Sequence, residues 1–354
     1  MAGCGKAADM HVSGIQRFAN ARLVAVCDLE PIMAEQLATR FSIPKRYVDF
    51  EEMLAREKPD VVHIVTPPQS HFALVRTALD AGCHVMVEKP LACDAQESAR
   101  IIEHAEMRSR KLTIGYTYYF DPAARVLRSL VRDGFMGELV HLESFLGYDW
   151  KGPFGSLILA DPDHWVRALP GKLFQNLLDH LLNKVTEFLP DNDPLVQAHS
   201  WQGASGPDAS DDDLPDELRV LIVGNKRSAY ATLSSHSRPV RHTLTFHGTK
   251  NTAHVDFDTS TITMSRAPSL PGVFGRLTSP FGEGWQHIKE GTRNVFRFAR
   301  SDYHFFSGFH YLVSQFYDSI LNDQPVPISY HDILRTATLV DEVIQQVRGT
   351  VRAA

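Results

Sequence analysis

The chain has 354 residues, 44% hydrophobic and 22% charged, with 36 Lys plus Arg against 42 Asp plus Glu for a formal net charge of −6. At about 150 residues per domain this predicts two domains or one large one, with a substantial core, and the composition excludes fibrous and unfolded classes. No overall positive field would draw in nucleic acid or anionic lipid, which leaves only a local basic patch for such partners.

Apolar runs such as residues 61–65 fall far short of the roughly 20 residues of a spanning helix, so no membrane partner is expected. Cys4, Cys27, Cys83 and Cys93 form no CxxC pair and no disulfide ladder, which fits the reducing cytoplasm. They form no zinc knuckle, and the histidines outside the motifs below show no ligand spacing, so no metal is expected. No basic and apolar leader follows Met1.

From residue 22 to about 115, short β-branched runs (23–27, 61–66, 84–88, 112–115) alternate with helical spacing at 33–41, 72–82 and 95–108. This predicts βαβ units on a doubly wound parallel sheet, with Gly82 closing a helix. A long strand is expected at 138–148, an irregular stretch at 161–165 and a helix over 173–189. Successive antiparallel strands are expected over 195–264, interrupted by an exposed loop at 202–216 whose Asp211, Asp212 and Asp213 read as solvated. Residues 266–284 concentrate Pro and Gly and read as irregular, and two helices close the chain at 308–321 and 329–348. The fold class is therefore α/β: an N-terminal Rossmann domain over 1–120, then an α+β domain over 121–354 with a largely antiparallel open sheet. Its C-terminal helices are placed to pack back on the first domain.

Gly3, Gly5, Lys6 and Ala7 lie in a GxGxxG/A turn, followed by a helix at about 10–20 whose free amides suit a pyrophosphate. Asp28 ends the next strand about 20 residues on, where a carboxylate accepts the ribose hydroxyls and repels a 2′-phosphate; NAD is favoured over NADP. Only Met1 and Ala2 precede the glycines. Either the central strand begins upstream, or the sheet is built without it and its neighbours carry unpaired ladder groups.

Glu88, Lys89 and Pro90 end a buried strand on the rim where doubly wound sheets bind ligands. Lys172, Asn176, His180 and Asn183 share one helix face, and periodicity alone reads that stripe as solvated.

These pieces, in this order, resemble the Gfo/Idh/MocA family, named for glucose-fructose oxidoreductase and inositol 2-dehydrogenase. The likeness includes Thr66, Pro67, Pro68 and His71, similar to the family's loop beside the nicotinamide. It also includes the Glu88-Lys89-Pro90 motif, the Gly134 to Glu143 crossover and the Gly248-Thr249-Lys250 turn. It implies a substrate-domain helix whose histidine is His180, with Asn176 in place of the usual Asp and Asn183 in place of a second acid. His180 would accept the hydroxyl proton and Lys89 would stabilise charge on the reacting oxygen. Asn176 orients a hydroxyl without carrying a proton. Tyr118, Trp165 and Arg167 are further substrate-side candidates. The resemblance implies oxidation of a sugar, sugar-nucleotide or cyclitol hydroxyl by a homodimer or homotetramer. A redox-assisted glycosidase and a non-catalytic dinucleotide-binding regulator stay open as alternatives.

Overall fold

The computed structural model describes residues 1–202, 216–267, 270–304 and 306–348. Asp211, Asp212 and Asp213 thus lie outside the described residues. The chain divides into two compact units, Met1–Thr117 with Gly308–Asp341 and Tyr118–Ser307 with Glu342–Ala354.

The first unit alternates helix and strand from its start: α1 (Ala8–Arg17), β1 (Ala25–Cys27), α2 (Pro31–Phe41), β2 (Lys45–Tyr47), α3 (Phe50–Glu57) and β3 (Val61–Ile64). It continues with α4 (His71–Asp80), β4 (His84–Val87), α5 (Ala95–Met107) and β5 (Leu112–Ile114). β1 pairs with β2, and β3 with β4 and β4 with β5, all parallel. Val62, Ile64, Val85, Val87, Leu112 and Ile114 are buried, as unbroken apolar strands between helical layers require. Asp49 and Asp94 cap α3 and α5 by accepting from the amides of Glu52 and Glu97 three residues on. Gly82, at φ 84°, ends α4. β2 is Lys-Arg-Tyr and shows no apolar run, which is why the sequence reading passes over it.

Ala2 forms parallel bridges to both Cys27 and Ile64, so the two strand groups meet across Met1 and Ala2. Ala2 donates to His63 O at 2.8 Å and accepts from Val65 N at 2.7 Å, while Gly3 donates to Cys27 O at 2.9 Å. The centre of the sheet is therefore occupied, but for a residue or two only.

The second unit opens with α6 (Pro122–Arg132), capped by Asp121 through the Ala123 amide. β6 (Leu139–Gly147), α7 (Gly155–Ala160), α8 (Lys172–Thr186), β7 (Leu195–Trp201), β8 (Glu217–Val223), β9 (Ser228–Ser234) and β10 (His242–Gly248) follow. β11 (Asn251–Asp256), β12 (Thr261–Arg266) and α9 (Gly272–Ala299) complete it. The sheet runs β12-β11-β10-β6-β9-β8-β7, antiparallel except between β6 and β9. α8 lies on one face, where Ser144 Oγ of β6 donates to Leu181 O at 2.8 Å.

Gly137 shows why two of the motifs recur together. Its φ is 72°, and a Cβ there would stand 2.4 Å from Thr249 Oγ1. Lys250 N donates to Met136 O at 3.1 Å, and Thr249 N to Glu138 O at 2.9 Å. The Gly134–Glu143 crossover and the Gly248 turn are two halves of one joint.

One expectation is corrected. Residues 272–284, read as irregular, form the first half of α9, a 28-residue helix with Pro280 inside it. Pro and Gly weigh against helix locally, yet Glu283 and, two residues beyond the segment, Gln286 bond Ser265 and Met264 of β12, contacts that only tertiary structure supplies.

α10 (Ser307–Leu321) and α11 (Tyr330–Val347) end the chain. α10 and most of α11 belong to the first unit, while the last turns of α11 join the second, where Gln346 bonds Ala198 N and Val196 O of β7.

Candidate active-site residues

The cofactor half is built in the first unit. Gly3, at φ 90°, passes so close to the end of β3 that a Cβ would meet Val65 O at 2.5 Å; only glycine makes this crossing. At Gly5 the same atom would meet nothing within 4 Å, so the turn leaves open space above a helix N-terminus with no side-chain cap. This cradle fits the pyrophosphate of a dinucleotide. Lys6 is exposed and Ala7 half-buried on its rim. Asp28, half-buried past the end of β1, accepts from Cys4 N at 2.7 Å and from Glu30 N at 3.0 Å, which holds the carboxylate beside the glycine turn.

Thr66 and Pro67 follow β3, with Thr66 Oγ1 2.7 Å from Ser70 Oγ. His71 is fully buried, its two ring nitrogens 2.9 Å from Pro90 O and 2.8 Å from Thr66 O. It clasps the Thr66 loop to the turn after β4. Burial lowers its pKa, against the pull of the two carbonyls and of Glu88. Lys89 is half-buried.

Glu88 belongs to a row of side chains that the sequence reading missed. Tyr317 Oη lies 2.9 Å from His63 Nε2, His63 Nδ1 lies 2.8 Å from His11 Nδ1, and His11 Nε2 lies 2.9 Å from Glu88 Oε1. Burial depresses His63 well below its ordinary pKa, with His11 adding to it. Burial pushes the Glu88 carboxyl up, but the His11 bond and the charges of His11 and Lys89 outweigh this and leave it below the usual value.

In the second unit the polar row of α8 is not solvated, contrary to periodicity. Asn176, Asp179, Asn183 and Lys184 are buried along with Leu173, Leu177, Leu178, Leu181 and Leu182, and of the row beyond the first turn His180 alone is half-exposed. Both amide atoms of Asn183 are buried without a hydrogen-bond partner among the described residues. Tyr118 sets its ring edge-on to His180 at 5.2 Å and to His242 at 4.1 Å. Behind them the Lys184 amine meets His242 Nε2, both fully buried. Burial drives both well below their ordinary pKa values, opposed for Lys184 by Asp258 and reinforced for His242 by Lys184 and His180. Lys184 stands four residues after His180, a spacing that was open to sequence reading. His242 carried no such signal. Trp165 stacks on His164 at 5.6 Å, and Arg167 Nε donates to Ile158 O at 2.9 Å, so that guanidinium braces α7.

A glycine turn at a parallel-sheet centre, open above a helix N-terminus and flanked by a strand-end acid, is the arrangement of a Rossmann fold. Residues 1–116 match the model of the Gfo/Idh/MocA oxidoreductase family, NAD-binding Rossmann fold. The chain is similar to D-glucoside 3-dehydrogenase of Escherichia coli (strain K12), 33% identical over 138 residues, 39% of this chain and 39% of that protein. Inositol 2-dehydrogenase of Rhizobium meliloti (strain 1021) is 32% identical over 39% and 41%. The matched stretch thus spans about two fifths of these relatives. Over the whole chain the fold is that of a putative myo-inositol dehydrogenase from Sinorhizobium meliloti 1021, TM-score 0.74 at 19% identity, covering 98% of this chain and 96% of that one. It is also that of the WlbA dehydrogenase from Bordetella pertussis in complex with NADH and UDP-GlcNAcA, TM-score 0.76 at 15% identity, covering 98% and 94%.

Proposed function

We propose that this protein is an NAD-dependent oxidoreductase interconverting a hydroxyl and a ketone on a sugar, sugar nucleotide or cyclitol. The observation that carries the reading is the buried polar row of α8. A helix serving structure alone has no reason to bury Asn176, Asn183 and Lys184 beside a half-exposed His180, because each buried polar group costs free energy.

The bound nicotinamide supplies the hydride acceptor. The open turn at Gly5 receives the pyrophosphate, Asp28 the ribose hydroxyls, and the loop of Thr66 and Pro67, fixed by His71, lines the cofactor. His180 takes the hydroxyl proton as the ketone forms, Lys89 hydrogen-bonds the reacting oxygen, and Asn176 orients a neighbouring hydroxyl. Tyr118 sets the angle of the His180 ring, and Trp165 offers an apolar face for a sugar ring. The relatives' names support the substrate class: D-glucoside 3-dehydrogenase, inositol 2-dehydrogenase and dTDP-3,4-didehydro-2,6-dideoxy-alpha-D-glucose 3-reductase. A carboxylate at Asp28 supports NAD over NADP. Four free cysteines, three of them buried, support a reducing, cytoplasmic setting.

The reading includes the homodimer or homotetramer that the family resemblance implies. The face of β6, β10 and β11 turned away from α8 carries Phe145 among His141, Glu143, Thr243, Thr245, His247 and His254, and light scattering that shows a monomer at micromolar concentration would overturn the homo-oligomer. The functional test is a panel of sugars, UDP-sugars and inositols with NAD, followed at the NADH absorbance band. Accumulation of NADH with one class is expected. Release of reducing sugar without net NADH would overturn the dehydrogenase in favour of a glycosidase.

A further inference from the structure

α9 is a helix turned inside out. Its sheltered positions are small or polar: Gly275, Gln286, Glu290, Asn294 and Arg297. Gln286 makes two bonds to the backbone of Met264 on β12, at 2.8 and 2.9 Å, and Asn294 Nδ2 donates to Thr259 O at 2.7 Å. The opposite face is apolar and open to solvent: Phe274 is 69% exposed, Leu277 60%, Phe281 80%, Trp285 67%, Ile288 60% and Val295 67%. Steps of three, four and seven place these residues in one stripe. At 1.5 Å per residue the 28-residue helix is about 42 Å long.

The charges beside the stripe say what covers it. Arg276, Lys289, Arg293 and Arg300 are exposed along its flanks, whereas Glu290 is buried against Arg293 at 3.1 Å and Glu283 is bonded to the Ser265 hydroxyl at 3.1 Å. A cationic strip thus stands on a chain whose formal net charge is −6. Two such strips would repel across a pair of copies. The stripe is also aromatic and broken by Gly284, Gly291 and Thr292, unlike the unbroken aliphatic seam of a helix pair. Phe and Trp between basic flanks match the boundary between lipid headgroups and acyl chains. Among the described residues no helix is long and apolar enough to cross a membrane, so the match is to a surface position.

We propose that α9 seats this protein on an anionic membrane surface, with its axis in the bilayer plane and Phe274, Phe281 and Trp285 inserted below the headgroups.

The test is flotation of the full chain with vesicles of equimolar phosphatidylglycerol and phosphatidylcholine, against vesicles of phosphatidylcholine alone. The protein is expected to float with the mixed vesicles, less so at high salt, and to stay behind with the neutral ones. A Phe281→Ser/Trp285→Ser variant should lose about a hundredfold in partitioning, as two aromatic anchors imply, with an unchanged thermal midpoint because both side chains already face water. Wild type that does not float, or a variant that floats as well as wild type, would overturn the proposal. So would light scattering that shows a lipid-free dimer which this double substitution splits, since a second copy would then be the occupant.

Discussion

Lys184 offers the sharpest test of the buried cluster behind His180. Its amine is fully buried, met by His242 and by the ring faces of Tyr118 and Phe257, with Nζ 5.7 and 5.1 Å from the ring centroids. Burial lowers its pKa well below 10.5, with Asp258 opposing. An unfolded chain therefore binds a proton at this site that the folded one does not, from pH 10.5 downward. In that window stability falls as pH falls, by up to about 1.4 kcal/mol per pH unit. Lys184→Met keeps the bulk and removes the titration. At about pH 10 the variant should be the less stable, by roughly 1–3 kcal/mol, because His242 loses a buried partner. Between about pH 10 and 8 the wild type should lose up to about 3 kcal/mol relative to the variant, so the two curves meet or cross. At roughly 2–4 °C per kcal/mol this is readable in thermal midpoints taken across a pH series. A difference that stays flat with pH would show that the amine is charged in the fold and would refute the reasoning.

Asp28→Ala should narrow the ratio of NAD to NADP affinity by about tenfold or more, read by fluorescence titration with NADH and NADPH; an unchanged ratio would remove Asp28 from the ribose site. Lys89→Ala and His180→Ala are each expected to lower turnover by about a hundredfold or more while NADH affinity, measured in the same titration, stays within about twofold. Gly3→Ala forces a Cβ to 2.5 Å from Val65 O at φ 90°, and urea denaturation should show a loss of more than about 2 kcal/mol. Tyr317→Phe should cost about 1–3 kcal/mol by the same method, because His63 Nε2 is left buried without its hydroxyl.

The first unit was largely legible because its information is local. Runs of β-branched residues between helical periods, Gly82 after α4 and the glycine turn all act through near neighbours. β2 escaped because Lys45 and Arg46 give an edge strand no apolar signature. The spacing of Asn176, His180 and Asn183 was visible, but a helical period says which residues share a face and not what that face meets. Here it meets the protein interior. α9 was illegible for the opposite reason, since Pro280 and five glycines argue locally for a loop while Gln286 and Asn294 find their partners on a strand and turn reached through the fold. His11 and His63, 52 residues apart, carry no motif, and only the sheet brings them together.

The row from Tyr317 to Glu88 has a sense of direction. In one sense the hydroxyl donates to His63 Nε2, His63 Nδ1–H to His11 Nδ1, and His11 Nε2–H to the Glu88 carboxylate. Where His11 Nδ1–H donates instead, His63 turns its donor toward Tyr317 and the upstream bonds reverse together. α1, β3 and α10 each contribute one member, and Glu88 directly follows β4. The four positions consequently tolerate replacement as a single polar object, not as four residues. A homologous chain that exchanges one of them for an apolar side chain has to rewrite its neighbours in the same stroke.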